Sequence, residues 1–260
     1  MAEPAPAELL SLARELATQA GLFLRQRAPL VRELIDTKSS PTDMVTEVDR
    51  AAEALIVGRI LAARPDDGLL GEEGASRDGT SGVRWVIDPL DGTTSYIYGY
   101  PAYSVSIAAE LLGQTVAGAV YDAAHGLLYS ASRGGGAYCD DRPIRVTTEA
   151  RLGHALCGTG FGYDPQRRAQ QGAMVTQILP RIRDIRRGGS AALDLCWVAS
   201  GHLDAYFEQG LNAWDMAAGV LIVQEAGGLT GWADGLQPSC LVAANPALFA
   251  PIQSMLNALG

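Results

Sequence analysis

Val83-Arg84-Trp85-Val86-Ile87-Asp88-Pro89-Leu90-Asp91-Gly92-Thr93-Thr94 is the stretch on which the reading of this 260-residue chain turns. The apolar run Trp85-Val86-Ile87 predicts a buried strand over 83–88 that delivers Asp88 at its end. Pro89 and Gly92 then force a turn. Asp91 lies three residues beyond Asp88, so both side chains can face one concavity. Gly92, Thr93 and Thr94 open a helix or tight turn whose unpaired N–H groups suit a phosphate. One segment therefore joins oxygen ligands for a hard cation to donors for an anion. Magnesium takes oxygen ligands at ~2.0–2.1 Å and is often shared between carboxylates and a substrate phosphate.

Outward from this segment, acids stand at the edges of other apolar elements. Gly71-Glu72-Glu73-Gly74 closes a short strand over 68–72. Asp49 sits on a helix after the polar spacing Asp43-x-x-Thr46, and Trp214-Asp215-Met216-Ala217-Ala218 opens a very apolar helix. Each has an ordinary reading by itself: a solvated helical acid, a helix-start acid favoured by the dipole, or an exposed turn. Together they describe elements that can meet around a metal.

The remaining pattern divides in two. A helix over 7–27 buries Leu9, Ala13, Leu16, Ala20, Phe23 and Leu24, with Pro29 ending it and Val31–Thr37 available as a strand. A second helix starts between Thr42 and Thr46, buries Val45, Val48, Ala52, Leu55, Ile56 and Ile60, and runs to about Arg64. Strand-like runs at 103–111, 115–122, 127–132, 137–139 and 143–147 predict an antiparallel sheet. Beyond residue 150, strands at 154–159, 183–187, 204–208, 228–232 and 240–244 alternate with helices near 165–180, 189–200, 214–227 and 246–258, an α/β pattern. The expected division is an N-terminal α+β half over 1–148 with most of the acids, and a C-terminal α/β half over 149–260 with Asp215.

Composition narrows the function. A net charge of -9 argues against generic nucleic-acid binding but permits an anionic substrate bridged by cations. Cys139, Cys157, Cys196 and Cys240 form no C-x-x-C pair, and His125, His154 and His202 are dispersed, so no zinc or redox motif is indicated. Met1-Ala2-Glu3-Pro4 lacks the basic start of a signal peptide, and no run approaches a membrane span; the expectation is a soluble, cytoplasmic protein. Among 20 basic residues only Lys38 is a lysine, a compact charge where Arg would present a fork.

These motifs resemble the inositol monophosphatase family of magnesium-dependent, lithium-sensitive phosphatases. The matching residues are Lys38-Ser39-Ser40-Pro41-Thr42-Asp43, Val45-Thr46, Asp49, Gly71-Glu72-Glu73, the run Trp85–Thr94, and Trp214-Asp215-Met216-Ala217-Ala218-Gly219, in matching order over nearly the whole chain. The resemblance implies a layered α/β fold, an αβαβα sandwich, and a homodimer. It implies two to three Mg2+ ions held by Glu72, Asp88, the Leu90 carbonyl, Asp91 and Asp215. Asp49 paired with Thr93, helped by Glu72, would orient or deprotonate the attacking water, with Lys38 reaching the water shell. Gly92 and Thr93 would grip the phosphate, while Asp91, Ala191, Glu208 and Asp215 would meet a polyhydroxylated ring.

The substrate so implied is a small phosphorylated metabolite, inositol 1-phosphate first. Ser95-Tyr96-Ile97-Tyr98, His202 and Gly188-Gly189 depart from the family pattern around the sugar, so histidinol phosphate or another sugar or nucleotide phosphate is the alternative. A different class of reading is a regulatory partner of transcription or ribosome assembly that acts without catalysis. Gly158-x-Gly160-x-Gly162 lacks the full nucleotide-loop spacing and reads as backbone turns. Arg181, Arg183, Arg186 and Arg187 read as a solvated strand edge or dimer contact, with an anion-attracting rim as the sharper option.

Overall fold

The computed structural model describes residues 4–35 and 41–259. Helices α1 (Pro6–Ile35) and α2 (Pro41–Ala63) precede strands β1 (Gly68–Gly71), β2 (Ser76–Arg77) and β3 (Val83–Asp91). The short α3 (Thr93–Tyr98) leads into β4 (Ser104–Leu111), β5 (Gln114–Asp122), β6 (Leu127–Ser132), β7 (Gly136–Cys139) and β8 (Arg142–Pro143). The C-terminal part runs β9 (Leu156–Thr159), α4 (Pro165–Ile178), β10 (Asp184–Arg186), α5 (Ala191–Ala199), β11 (Ala205–Gln209), α6 (Ala213–Glu225), β12 (Leu229–Ala233), β13 (Cys240–Ala244) and α7 (Pro246–Asn257).

The strands form an eight-stranded sheet ordered β2-β1-β3-β4-β5-β6-β7-β8 and a five-stranded sheet ordered β10-β9-β11-β13-β12. Alternation along β3 assigns its two faces. Trp85 and Ile87 pack with α1 and α2 against Leu16, Ala20, Ala52 and Ile56. Val86, on the opposite face, packs with Leu193, Cys196, Leu221 and Ile222 of α5 and α6. The same middle layer covers Tyr206, Leu241 and Ala243 of the second sheet. Phe207, Val242 and Ala244 look the other way, onto Ile178, Leu248 and Ile252 of α4 and α7. The order of layers is αβαβα. A helix wedged between two sheets must be apolar around most of its circumference, which is why α6 reads as almost uniformly hydrophobic.

Two expectations about elements are corrected. The first helix passes through Pro29 to Ile35, so 31–35 are helical rather than the expected strand; Asp36 and Thr37 lie outside the described residues. An interior proline costs about 3 kcal/mol; the packing of α1 along the sheet outweighs a local stop signal. The run 143–147 is not a strand beyond Pro143, because β8 pairs with β7 only at Arg142 and Pro143 before the chain leaves the sheet.

Candidate active site

The β3 turn is built around a bulge. Asp88 pairs with Ser106 and Asp91 with Ser104, so three steps on β3 oppose two on β4. In a regular strand, residues three apart point to opposite faces; one extra residue returns Asp91 to the face of Asp88. Pro89, with no N–H to donate, sits within the interruption. Gly92 follows at φ 93°, and a Cβ there would lie 2.6 Å from the Ala102 carbonyl oxygen, so only glycine fits.

The parallel neighbour β1 carries Glu72 to the same place. Gly71 stands beside Ile87, the Glu72 N–H donates to the Ile87 carbonyl at 3.2 Å, and the Glu72 and Asp88 carboxyls lie within hydrogen-bonding reach of each other. Glu53 on α2 fixes this turn by accepting from the Glu73 and Ala75 N–H groups, each at 3.0 Å. Sequence reasoning missed Glu53; its position four residues after Asp49, on one helical face, was the available signal.

The fourth acid arrives from the other half. Asp215, in the first turn of α6, accepts from the Asn212 N–H at 2.6 Å. Glu72, Asp88, Asp91 and Asp215 all line one cavity of about 230 Å³, together with Leu90, Gly92, Thr93, Ala191 and Glu208. Ala191 lies at the start of α5, where Ser190 Oγ donates to Asp91 at 2.6 Å and the Ala192 N–H does so at 2.8 Å. Glu208, on β11, accepts from the buried Tyr206 hydroxyl at 2.6 Å.

Crowding of these acids raises their affinity for protons. Burial pushes Asp91 up to about 7 despite the Ser190 and Ala192 hydrogen bonds. Asp88 is raised by burial and then by Asp91, Glu72 and Asp215. Burial also raises Glu72, Glu208 and Asp215. Buried carboxylates that repel one another favour neutral forms unless a cation stands between them. Among the described residues, no three His, Cys, Asp or Glu side chains already enclose an ion position. The acids that would do so are engaged by protein donors instead: Asp88 by the Leu90 N–H, Asp91 by Ser190, and Asp215 by Asn212. Four hard-oxygen carboxylates lining one cavity, each destabilised as an anion, fit divalent magnesium.

The expected Asp49–Thr93 pair is not formed. Thr93 Oγ1 donates to the Leu90 carbonyl at 3.2 Å, closing its own turn. Asp49 is 3% exposed, and its Oδ1 has no hydrogen-bond partner. Burial, then Glu73, Glu72 and Glu53, push it to about 8. Lys38 lies outside the described residues.

The glycine loop read as plain turns belongs to the cavity. Gly160, Phe161, Gly162 and Tyr163 line it, and a Cβ on Gly160 would overlap the Glu208 carboxylate. Arg187 also lines it, so one member of the arginine cluster is an anion-attracting rim, whereas Arg186 pairs with Asp184 at 2.6 Å.

The Inositol monophosphatase family model matches residues 5–256. Inositol-1-monophosphatase SuhB of Mycobacterium tuberculosis is 46% identical over 240 residues, covering 85% of this chain and 83% of that protein. Nus factor SuhB of Pasteurella multocida is 41% identical over 255 residues, covering 96% of this chain and 94% of its own. The solved structure of Mycobacterium tuberculosis SuhB superposes with a TM-score of 0.86 at 43% identity, covering 98% of each chain.

Proposed function

The chain belongs to the inositol monophosphatase family and is a phosphoric monoester hydrolase, and from that premise we propose that it hydrolyses inositol 1-phosphate to myo-inositol and phosphate with Mg2+. The observation that carries this reading is the convergence of Glu72, Asp88, Asp91 and Asp215, from separate stretches of chain, on the cavity that also holds the Gly92–Thr93 turn and Glu208. Glu72, Asp88, Asp91, Asp215 and the Leu90 carbonyl would hold two to three ions. Bound there, magnesium supplies a water of lowered pKa and neutralises charge on the ester oxygens.

The chain's own residues do the rest. In this reading Glu72 and Asp49 would accept the proton leaving the attacking water; burial makes both stronger bases than ordinary carboxylates. Gly92 and Thr93 present backbone N–H groups to the phosphoryl oxygens. Glu208, held by Tyr206, and Asp91 accept hydrogen bonds from ring hydroxyls, which selects a polyol. Lys38 belongs to this proposal through the family pattern. A homodimer is part of it on the same ground. No described helix is long and apolar enough to cross a membrane.

Phosphate release from inositol 1-phosphate and from histidinol phosphate, with and without Mg2+, tests the reading. Metal-dependent turnover with preference for the inositol ester is expected; preference for histidinol phosphate overturns the substrate assignment. The Pasteurella relative's name, Nus factor, supports a second reading as a transcription partner. A wild type without phosphatase activity, yet retaining a partner unaffected by Asp91→Asn, would favour it.

A further inference from the structure

Glu53 is a buried acid on α2 that does not line the cavity and has no part in the chemistry above. We propose that it is a positioning residue for Glu72. Its carboxylate fixes the direction in which the Glu72 side chain leaves the backbone, and thereby sets how tightly Glu72 and Asp88 hold Mg2+. This rests on the phosphatase reading above.

Two rigid peptide planes flank every Cα, and together they set where its side chain points. The plane before Glu72 is held by β3, because the Glu72 N–H donates to the Ile87 carbonyl at 3.2 Å. The plane after it carries the Glu73 N–H, which donates to Glu53 Oε2 at 3.0 Å. Among the described residues no other hydrogen bond holds that second plane. The remaining oxygen, Oε1, accepts from the Ala75 N–H at 3.0 Å. Between these points Glu72-Glu73-Gly74 forms a three-residue loop. The Gly71 N–H closes it on the Ala75 carbonyl at 2.6 Å, and Gly74 turns it at φ 113°. One carboxylate on a rigid helix thus grips the loop on the side that β3 does not.

Gly71 bears the same contact from the other partner. A Cβ there would overlap Glu53 Oε2 and lie 2.8 Å from its Cδ, so the carboxylate occupies the place of the missing side chain. Two other roles fit less well. Glu53 is not free to ligate an ion, since backbone donors fill both its oxygens. Arg50, one turn earlier on α2, also reaches the loop, but its pair with Glu73 spans 3.4 Å from a side chain 69% exposed and holds little. Groups that orient a metal ligand govern affinity although they never touch the ion.

The test measures Mg2+ binding to the substrate-free protein by calorimetry, beside turnover of inositol 1-phosphate. Glu53→Gln keeps the shape but puts an amide NH2 where one of the two N–H groups needs an acceptor. Gly71→Ala keeps Glu53 but drives its carboxylate off both. Each should weaken Mg2+ binding about tenfold, while kcat at saturating Mg2+ and KM for inositol 1-phosphate change less. The double variant should do no more than the worse single one, because both changes release the same contact. Mg2+ affinity close to wild type in the folded variants, or losses that multiply in the double variant, overturns the positioning role and leaves the phosphatase reading standing. Amide hydrogen exchange in the wild type decides the matter even if a variant fails to fold. The Glu73 and Ala75 amides should be protected relative to Gly74, and more so with Mg2+; equal exchange of all three overturns the proposal. A wild type that binds no Mg2+ overturns the phosphatase reading itself.

Discussion

At Asp88 a single carboxylate carries both a functional demand and a structural cost. It is 1% exposed, and its ionised form is opposed by burial and three neighbouring acids. Asp88→Asn should therefore lower turnover by more than about 100-fold, while raising the thermal midpoint of the metal-free protein at pH 8 by removing a buried repulsive charge. Phosphate release and thermal unfolding in chelator check both; retained turnover would contradict the site. At Tyr206 the demand is orientation. Tyr206→Phe removes one hydrogen bond to a charged acceptor, a loss of about 1.5–3 kcal/mol, and should raise KM for inositol 1-phosphate with a smaller change in kcat. A KM unchanged within error would show that Glu208 needs no support. Residue identity made Asp88, Asp91 and Glu72 legible in the sequence, because acids ending apolar strands are unusual. Tyr206, Glu53 and the cavity-lining Arg167 of α4 were not legible: an aromatic in a strand, an acid on a helix and an arginine in a helix's first turn are ordinary, and only their contacts distinguish them.

Among elements, β5 and α6 meet backbone against backbone. A Cβ on Gly118 would lie 3.0 Å from Ala218 Cα and 3.2 Å from its carbonyl oxygen, backbone that has no room to retreat. Gly118→Val should destabilise by about 1–3 kcal/mol through overpacking, a drop of several degrees in thermal midpoint, and should displace α6, which carries Asp215. Circular dichroism melts give the first effect, and a rise in the Mg2+ concentration for half-maximal activity gives the second. Element types were readable from periodicity: α2 runs Pro41–Ala63 against an expected start between Thr42 and Thr46 and an end at about Arg64, and β13 covers the expected 240–244. Pro29 misled because its local penalty is small against the packing of a 30-residue helix. The 143–147 run misled because alternation marks a strand only where a neighbouring edge exists to pair with.

Over the whole molecule, the cluster of raised acids links stability to pH. Asp49, near 8, and Asp91, near 7, have folded-state values above those of the unfolded chain. Between the ordinary carboxylate range and about pH 8 the folded state therefore binds more protons than the unfolded one, and stability falls as pH rises. The metal-free protein should melt at a higher temperature at pH 5 than at pH 8.5, and Mg2+ should flatten that dependence; a metal-free midpoint that climbs with pH would refute the clustering. The sequence by itself determined the α/β class, the acids of the β3 turn and the family pattern, because these rest on local periodicity, turn chemistry and spacing along the chain. Only the tertiary structure decided that a bulge turns Asp88 and Asp91 to one face, that the glycine loop and Arg187 border the same cavity, and that Thr93 bonds its own turn rather than Asp49. Those outcomes depend on register between strands and on how two sheets close over one helix layer, which no stretch of chain encodes alone.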